Sequence, residues 1–240
     1  MSRIAVITGV ASGMGKCIAQ KLVENNYTVY GVDINPVELD GVNSSICDVS
    51  NENQVKSFFK TVSETLNHID CLINVAGILC YKERNTIENL SSEEWKRVLE
   101  VNLDSVFYMT KYSLPLLKKS QNASIINFSS DQVYKAKKKS APYAVSKAAI
   151  EMLTKITAAE NLDTHIRVNA VAFASVATNF INNYVGEARA IEMIKSADES
   201  MPYGIIRPED AWDVVRFLLA DGCKITGQII MTDSGTLLQK

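Results

Sequence analysis

Residues 4–15 read Ile4-Ala5-Val6-Ile7-Thr8-Gly9-Val10-Ala11-Ser12-Gly13-Met14-Gly15. The first four are an unbroken apolar run, β-branched in part. Such a run suits a strand covered on both faces, as in a parallel sheet. A glycine-rich turn follows, and then a helical pattern with Ile18, Ala19, Leu22 and Val23 on one side. Strand, glycine turn and helix in that order are the setting of a dinucleotide-binding loop. Glycines let backbone approach a pyrophosphate, and the helix start offers unpaired N–H groups and a positive dipole end. Gly9, Ser12, Gly13, Met14 and Gly15 are the expected cofactor contacts here.

Six more strands are expected downstream, over Tyr27 to Val32, Ser45 to Cys47, Asp70 to Asn74, Ala123 to Phe128, Ile166 to Val171 and Gly227 to Met231. Helical spacing separates most of them, including Asn51 to Leu66, a long helix from Ser91, and Pro208 to Leu219. The exception is the stretch Asn35 to Gly41, too short for a long helix. Alternation of strands and helices predicts a doubly wound α/β fold of Rossmann type, with seven mostly parallel strands and helices on both faces. No linker or repeat divides residues 1–240, so a single domain is expected. Ser91-Ser92-Glu93-Glu94 has capping-box chemistry. Asn102 falls in the apolar stripe of that helix, where a buried amide needs partners and becomes a clamp or part of a site.

In open α/β sheets ligands sit beyond the carboxyl ends of the strands. Thr8, Asp33, Asp48, Asn74 and Ser130 all stand at such ends. Asp33, about 20 residues past the glycines, can accept both hydroxyls of an adenosine ribose and repels a 2′-phosphate, so it favours NAD over NADP. Small residues at Ala76 and Gly77 leave room for a flat ring. Tyr143 and Lys147 are one helical turn apart and share a face. A fixed ammonium beside a phenol is expected to lower the tyrosine pKa and make an acid–base group. Four lysines between Lys135 and Lys139 read as a solvated loop. The connection 180–203 reads as a partly helical substrate lid with Asn182, Asn183 and Gly186 as hinges.

Composition limits the partners. Hydrophobic residues make up 47% and charged residues 22%, and the net charge is −2, which argues against binding nucleic acid through phosphates. The five cysteines are scattered with no paired spacing, so buried thiols are expected rather than disulfides or a metal site. No apolar stretch approaches a membrane span. The expected location is the cytoplasm.

Taken together, these residues resemble the short-chain dehydrogenase/reductase family in its common single-domain form. Thr8-Gly9-x-x-x-Gly13-x-Gly15 resembles its cofactor loop, and Asp48-Val49 its adenine-contacting pair. Asn74-Val75-Ala76-Gly77 resembles its N-N-A-G, with Val75 in place of the second Asn. Asn102, Ser130, Tyr143 and Lys147 match its four catalytic positions, with Ser130 thirteen residues before Tyr143. Gln228-Ile229-Ile230 and Asp233-Ser234-Gly235 resemble its closing strand and turn. The resemblance implies Tyr143 as general acid/base, Lys147 as the group that lowers its pKa and holds the nicotinamide ribose, Ser130 as donor to the substrate oxygen, and Asn102 as anchor of a proton relay. Val176 and Thr178 match positions bordering the nicotinamide. It also implies a homotetramer or dimer through the helices at Ser91 to Lys118 and Tyr143 to Asn161.

Two departures bear on the substrate. Phe173-Ala174 stands where the family has Pro-Gly, and an aromatic ring there is expected to narrow the pocket. Val133 replaces the usual glycine after the serine, and its neighbour Gln132 is a candidate substrate contact together with Ser130 and Tyr143. The leading expectation is an NAD-dependent oxidoreductase of secondary alcohols or ketones, such as a small polyol, sugar derivative, cyclic alcohol or hydroxy acid. A 3-oxoacyl-[acyl-carrier-protein] reductase and a non-catalytic NAD-binding regulator are the alternatives.

Overall fold

In the computed structural model, which describes residues 2–178, 180, 184 and 186–239, seven strands form one parallel sheet in the order β3-β2-β1-β4-β5-β6-β7. The strands are β1 (Ile4–Thr8), β2 (Thr28–Asp33), β3 (Val42–Ile46), β4 (Cys71–Asn74), β5 (Ser124–Ser130), β6 (Arg167–Phe173) and β7 (Ile229–Thr232). The helices are α1 (Gly13–Glu24), α2 (Glu52–Thr65), α3 (Ser92–Leu99), α4 (Ser105–Leu117), α5 (Ala141–Glu160), α6 (Glu187–Ser200) and α7 (Pro208–Leu219).

Alternation within β1 shows how the layers are built. Ala5 and Ile7 face one apolar cluster with Ile18 and Leu22 of α1 and Trp212, Val215 and Leu218 of α7. Val6 faces the other, with Phe58 and Phe59 of α2 and Met109, Leu116 and Leu117 of α4. Each fully buried Ile or Leu contributes about 1.5–3 kcal/mol of transfer free energy, and both faces of the central strands collect it. That is why the parallel strands read as continuous apolar runs. The edge strand β3 is the exception: Asn43-Ser44-Ser45-Ile46 is exposed, and no helix lies in the 35–41 connection.

Strand order reverses between β1 and β4, which pair directly with Val6 opposite Leu72. A crevice at that switch point is where this class of sheet binds ligands. The buried Thr8 hydroxyl ties the two strand ends together, accepting the N–H groups of Val75 and Ala76 at 3.0 Å each. β5 and β6 run two residues farther than the sequence pattern predicts, to Ser130 and Phe173. The expected long helix from Ser91 is broken by a wide π turn at Glu100–Asp104, between α3 and α4. Asn102 sits in that turn.

Candidate active site

The glycine loop is shaped by close approach. Gly9 has φ +77°, and a Cβ there would lie 3.2 Å from the Ala76 backbone. A Cβ on Gly15 would lie 2.1 Å from the Gly9 carbonyl oxygen, so only glycine lets α1 start this close to β1. Ser12 precedes α1 with extended backbone, and its side chain does not cap the helix. The first-turn N–H groups, which have no intrahelical partner, remain open beside the loop. Asp33 at the end of β2 accepts the Ala11 N–H at 3.0 Å and the Asn35 N–H at 3.0 Å. Thr178 lies 3.5 Å from where a Gly13 Cβ would stand. Open first-turn amides, a carboxylate at the end of β2 and a glycine-lined crevice fit a dinucleotide.

Beyond β4 and β5 the polar groups converge. Asn102 is fully buried and clamps the chain after β4: its Oδ1 accepts the Ile78 N–H at 2.7 Å and its Nδ2 donates to the Ile78 carbonyl at 2.9 Å. The same Nδ2 donates to Ser146 Oγ at 3.1 Å. The π turn makes this possible, because it swings one side chain off the regular helical face. Gly77 packs against this clamp, with Asn102 Oδ1 3.1 Å and Lys147 Nζ 3.7 Å from where its Cβ would be. Lys147 is buried, donates from Nζ to the Phe128 carbonyl at 2.7 Å, and lies 5.7 Å from the Tyr143 ring centroid. Ser130, buried at the end of β5, lies close enough to the Tyr143 phenol to favour its ionised form. The structure thus brings Asn102, Ser130, Tyr143 and Lys147 into one cluster.

The electrostatics correct one expectation. Burial pushes the Tyr143 phenol up to about 12, the Asp131 and Tyr184 charges push the same way, and the nearby Ser130 hydroxyl pulls against them. The expected lowering by Lys147 is absent, because its ammonium points at the Phe128 carbonyl rather than at the phenol oxygen. Burial in turn pushes Lys147 down to about 8. At neutral pH the tyrosine is held as a phenol, able to give a proton.

Other expected residues divide. Asn74 donates to Asn127 at 2.8 Å, and Asn127 to Thr154 at 2.9 Å, a buried chain joining β4 and β5 to α5. Asp48 is engaged by Ser50 and by Arg97 at 3.4 Å, which hold its carboxyl below the usual range although burial pushes the other way. Val49 is packed in the core, leaving only its backbone for a ligand. Met14 packs partly against the α1 cluster. Val176 bridges to Ile206. Gln132 accepts the Ser140 hydroxyl, so its carbonyl oxygen serves the entry to α5. Phe173 does not narrow the pocket: it is buried in the core, 5.2 Å from the Phe128 ring. The lysines from Lys135 to Lys139 are exposed. In the 180–203 connection, α6 begins after Gly186, whereas Asn182 and Asn183 lie outside the described residues.

Three residues near the cluster lay outside the sequence expectations. Ser146 partners Asn102 from inside Tyr143-x-x-Ser146-Lys147, a signal visible only once Asn102 is known to face α5. Tyr184 accepts the Leu79 N–H at 3.1 Å; nothing in the sequence marks it. Asp131 follows Ser130 directly and was legible as a charge at a strand end. The Ser91 capping box forms by half: Ser91 accepts the Glu94 N–H at 3.1 Å, but the buried Glu94 carboxylate instead holds the Tyr81, Lys82 and Glu83 amides, at 2.5, 2.7 and 3.3 Å.

Comparison with known proteins covers the whole arrangement. A family model described as enoyl-(acyl carrier protein) reductase matches residues 9–236. The chain is 31% identical to the 3-oxoacyl-[acyl-carrier-protein] reductase FabG of Thermotoga maritima, over 98% of each chain. It is 30% identical to the 2,3-dihydro-2,3-dihydroxybenzoate dehydrogenase of Bacillus subtilis, over 98% of this chain and 96% of the other. The ligand-free aldohexose dehydrogenase of Thermoplasma acidophilum superposes with a TM-score of 0.91 at 29% identity, covering 100% of this chain and 95% of that one.

Proposed function

The chain belongs to the short-chain dehydrogenase/reductase family and is an oxidoreductase of that family, and from that premise we propose that it transfers a hydride between NAD(H) and a secondary alcohol or ketone, with Tyr143 as general acid/base. The observation that carries this reading is the convergence of Asn102, Ser130, Tyr143 and Lys147 beside the glycine-lined crevice. Gly9, Ser12, Gly13, Met14 and Gly15 would hold the pyrophosphate, Asp33 the adenosine ribose, Asp48 and Val49 the adenine edge, and Asn74, Ala76, Gly77, Val176 and Thr178 the nicotinamide end. The bound nicotinamide supplies or accepts the hydride.

The chain's own work is proton handling. Ser130 orients the substrate oxygen and donates to it as charge develops. Tyr143, held protonated by its burial, passes its proton to the oxygen of a ketone and recovers it from solvent; alcohol oxidation is the reverse. Lys147 would hold the nicotinamide ribose. Asn102 anchors the Ile78 backbone and a water leading from Lys147 outward.

Asp33 supports NAD over NADP. We read the chain as one cytoplasmic domain with 180–203 as its lid, acting on a small polyol, sugar derivative, cyclic alcohol or hydroxy acid. Exposed apolar side chains on α4 and α5 (Phe107, Val145, Met152 and Ile156) support a dimer or tetramer through that face. Reduction of a 3-oxoacyl carrier thioester is a second reading, favoured by the exposed lysines near the site, which suit an acidic carrier. The test is a panel of secondary alcohols and ketones read by NADH and NADPH absorbance. Turnover with NAD, and relaxed cofactor preference in Asp33→Ala, are expected. Equal use of NADP by the wild type would remove Asp33 from its role.

A further inference from the structure

Asp131 is a carboxylate beside Ser130 at the end of β5. The single turn Asp131–Val133 is capped by Ser130, whose hydroxyl accepts the Gln132 N–H at 3.2 Å. The Asp131 side chain has one hydrogen bond among the described residues, accepting from Ser130 Oγ at 3.2 Å. Its other oxygen has no partner among them, and it is not sealed from solvent. It makes no ion pair within 4.0 Å among the described residues; Lys135 and Lys137 are near enough to pull its pKa down, Asp233 pushes it up, and burial, the largest influence, raises it. It also lies close enough to Tyr143 to raise the phenol's pKa. Asp131 therefore stands in hydrogen-bond contact with Ser130, beside the position where Ser130 and Tyr143 would hold the reacting oxygen.

From this placement, and resting on the hydride-transfer reading above, we propose that Asp131 recognises a second hydroxyl beside the reacting carbon, so that the substrate class is a neutral vicinal diol or polyol rather than an anionic hydroxy acid. A half-buried carboxylate loses hydration when a substrate closes over it, and a hydroxyl donor replaces the lost hydrogen bond. A substrate with hydrogen in that place leaves the charge unpaired, which is how sites built for a hydroxyl reject analogues that lack it. A substrate carboxylate there meets like charge from Asp131 and Asp233.

The experiment compares wild type and Asp131→Ala on a cyclohexanediol with vicinal hydroxyls, on cyclohexanol and on lactate, with NAD. The wild type is expected to favour the diol, and Asp131→Ala to lose about tenfold to hundredfold in kcat/KM on the diol, chiefly through KM, while changing little on cyclohexanol. Asp131→Asn, which keeps an acceptor oxygen without charge, is expected to fall between. Equal losses on both alcohols would mean that Asp131 acts through Ser130, and a wild-type preference for lactate would contradict like-charge rejection; either result overturns the proposal. If the wild type turns over none of the wider panel of secondary alcohols and ketones, the hydride-transfer reading fails separately. Titration of the NADH complex with the diol then tests Asp131 alone: weaker binding by Asp131→Ala supports the recognition role, and unchanged binding overturns it.

Discussion

Replacing Lys147 by methionine separates what the fold needs from what the chemistry needs. The ammonium is 5% exposed, and its one hydrogen bond is to the Phe128 carbonyl. Burial moves it from 10.5 to about 8. That is ~2.5 units at about 1.4 kcal/mol each, or about 3 kcal/mol of unfavourable burial of charge. A lysine with a depressed pKa costs stability below its folded value, and the cost is relieved as pH rises through about 8 toward the unfolded value. Of that penalty, about 2 kcal/mol should be relieved between about pH 7 and about pH 9.5. Methionine keeps the volume, removes the charge and leaves the carbonyl without this donor, which costs about 1–3 kcal/mol. The variant should therefore be near wild-type stability at neutral pH and fall behind by about 2 kcal/mol in alkali. Urea unfolding of both proteins across this range measures it. Burial holds Cys47 at about 11 and Cys71 at about 12, so both proteins weaken in alkali as the unfolded thiols ionise first. The difference between the two proteins cancels that shared effect. A stability difference that does not change with pH would refute the desolvated ammonium.

Gly15→Ala should yield little folded protein, since its Cβ would sit 2.1 Å from the Gly9 carbonyl oxygen; soluble yield and thermal unfolding check it. Gly77→Ala should fold but lose activity, because its Cβ would press on Asn102 Oδ1 at 3.1 Å; the outcome is read as lower kcat with unfolding midpoints nearly unchanged. Glu94→Gln should destabilise by about 1–3 kcal/mol in urea unfolding, since an amide N–H₂ then faces the backbone N–H groups that the carboxylate now accepts.

The parallel sheet was legible because its central strands are buried on both faces. Ile4 to Ile7 therefore reads as an apolar run that no solvated element produces. The cofactor loop was legible because its glycines obey a backbone constraint that tolerates no side chain at Gly15. The edge strand β3 was less so: Val42-Asn43-Ser44-Ser45 is held by backbone pairing with β2, which leaves no periodic pattern. The π turn that carries Asn102 depends on where the amide finds Ile78 and Ser146, and Glu94's partners come from a loop eleven to thirteen residues upstream. Phe173 was misread for a similar reason. A ring at a strand end can face a pocket or the core, and Phe128 on the neighbouring strand turned it inward. The tyrosine pKa was misjudged because helical spacing places Lys147 beside Tyr143 but does not say which oxygen its ammonium will choose.

The central claim is that Tyr143 is the proton donor of a hydride-transfer site, and Tyr143→Phe tests it most directly. The measurement pairs steady-state turnover of the best ketone substrate with an NADH fluorescence titration on the same preparation. Loss of turnover with NADH affinity close to wild type is the predicted result. Full turnover in Tyr143→Phe would contradict the account.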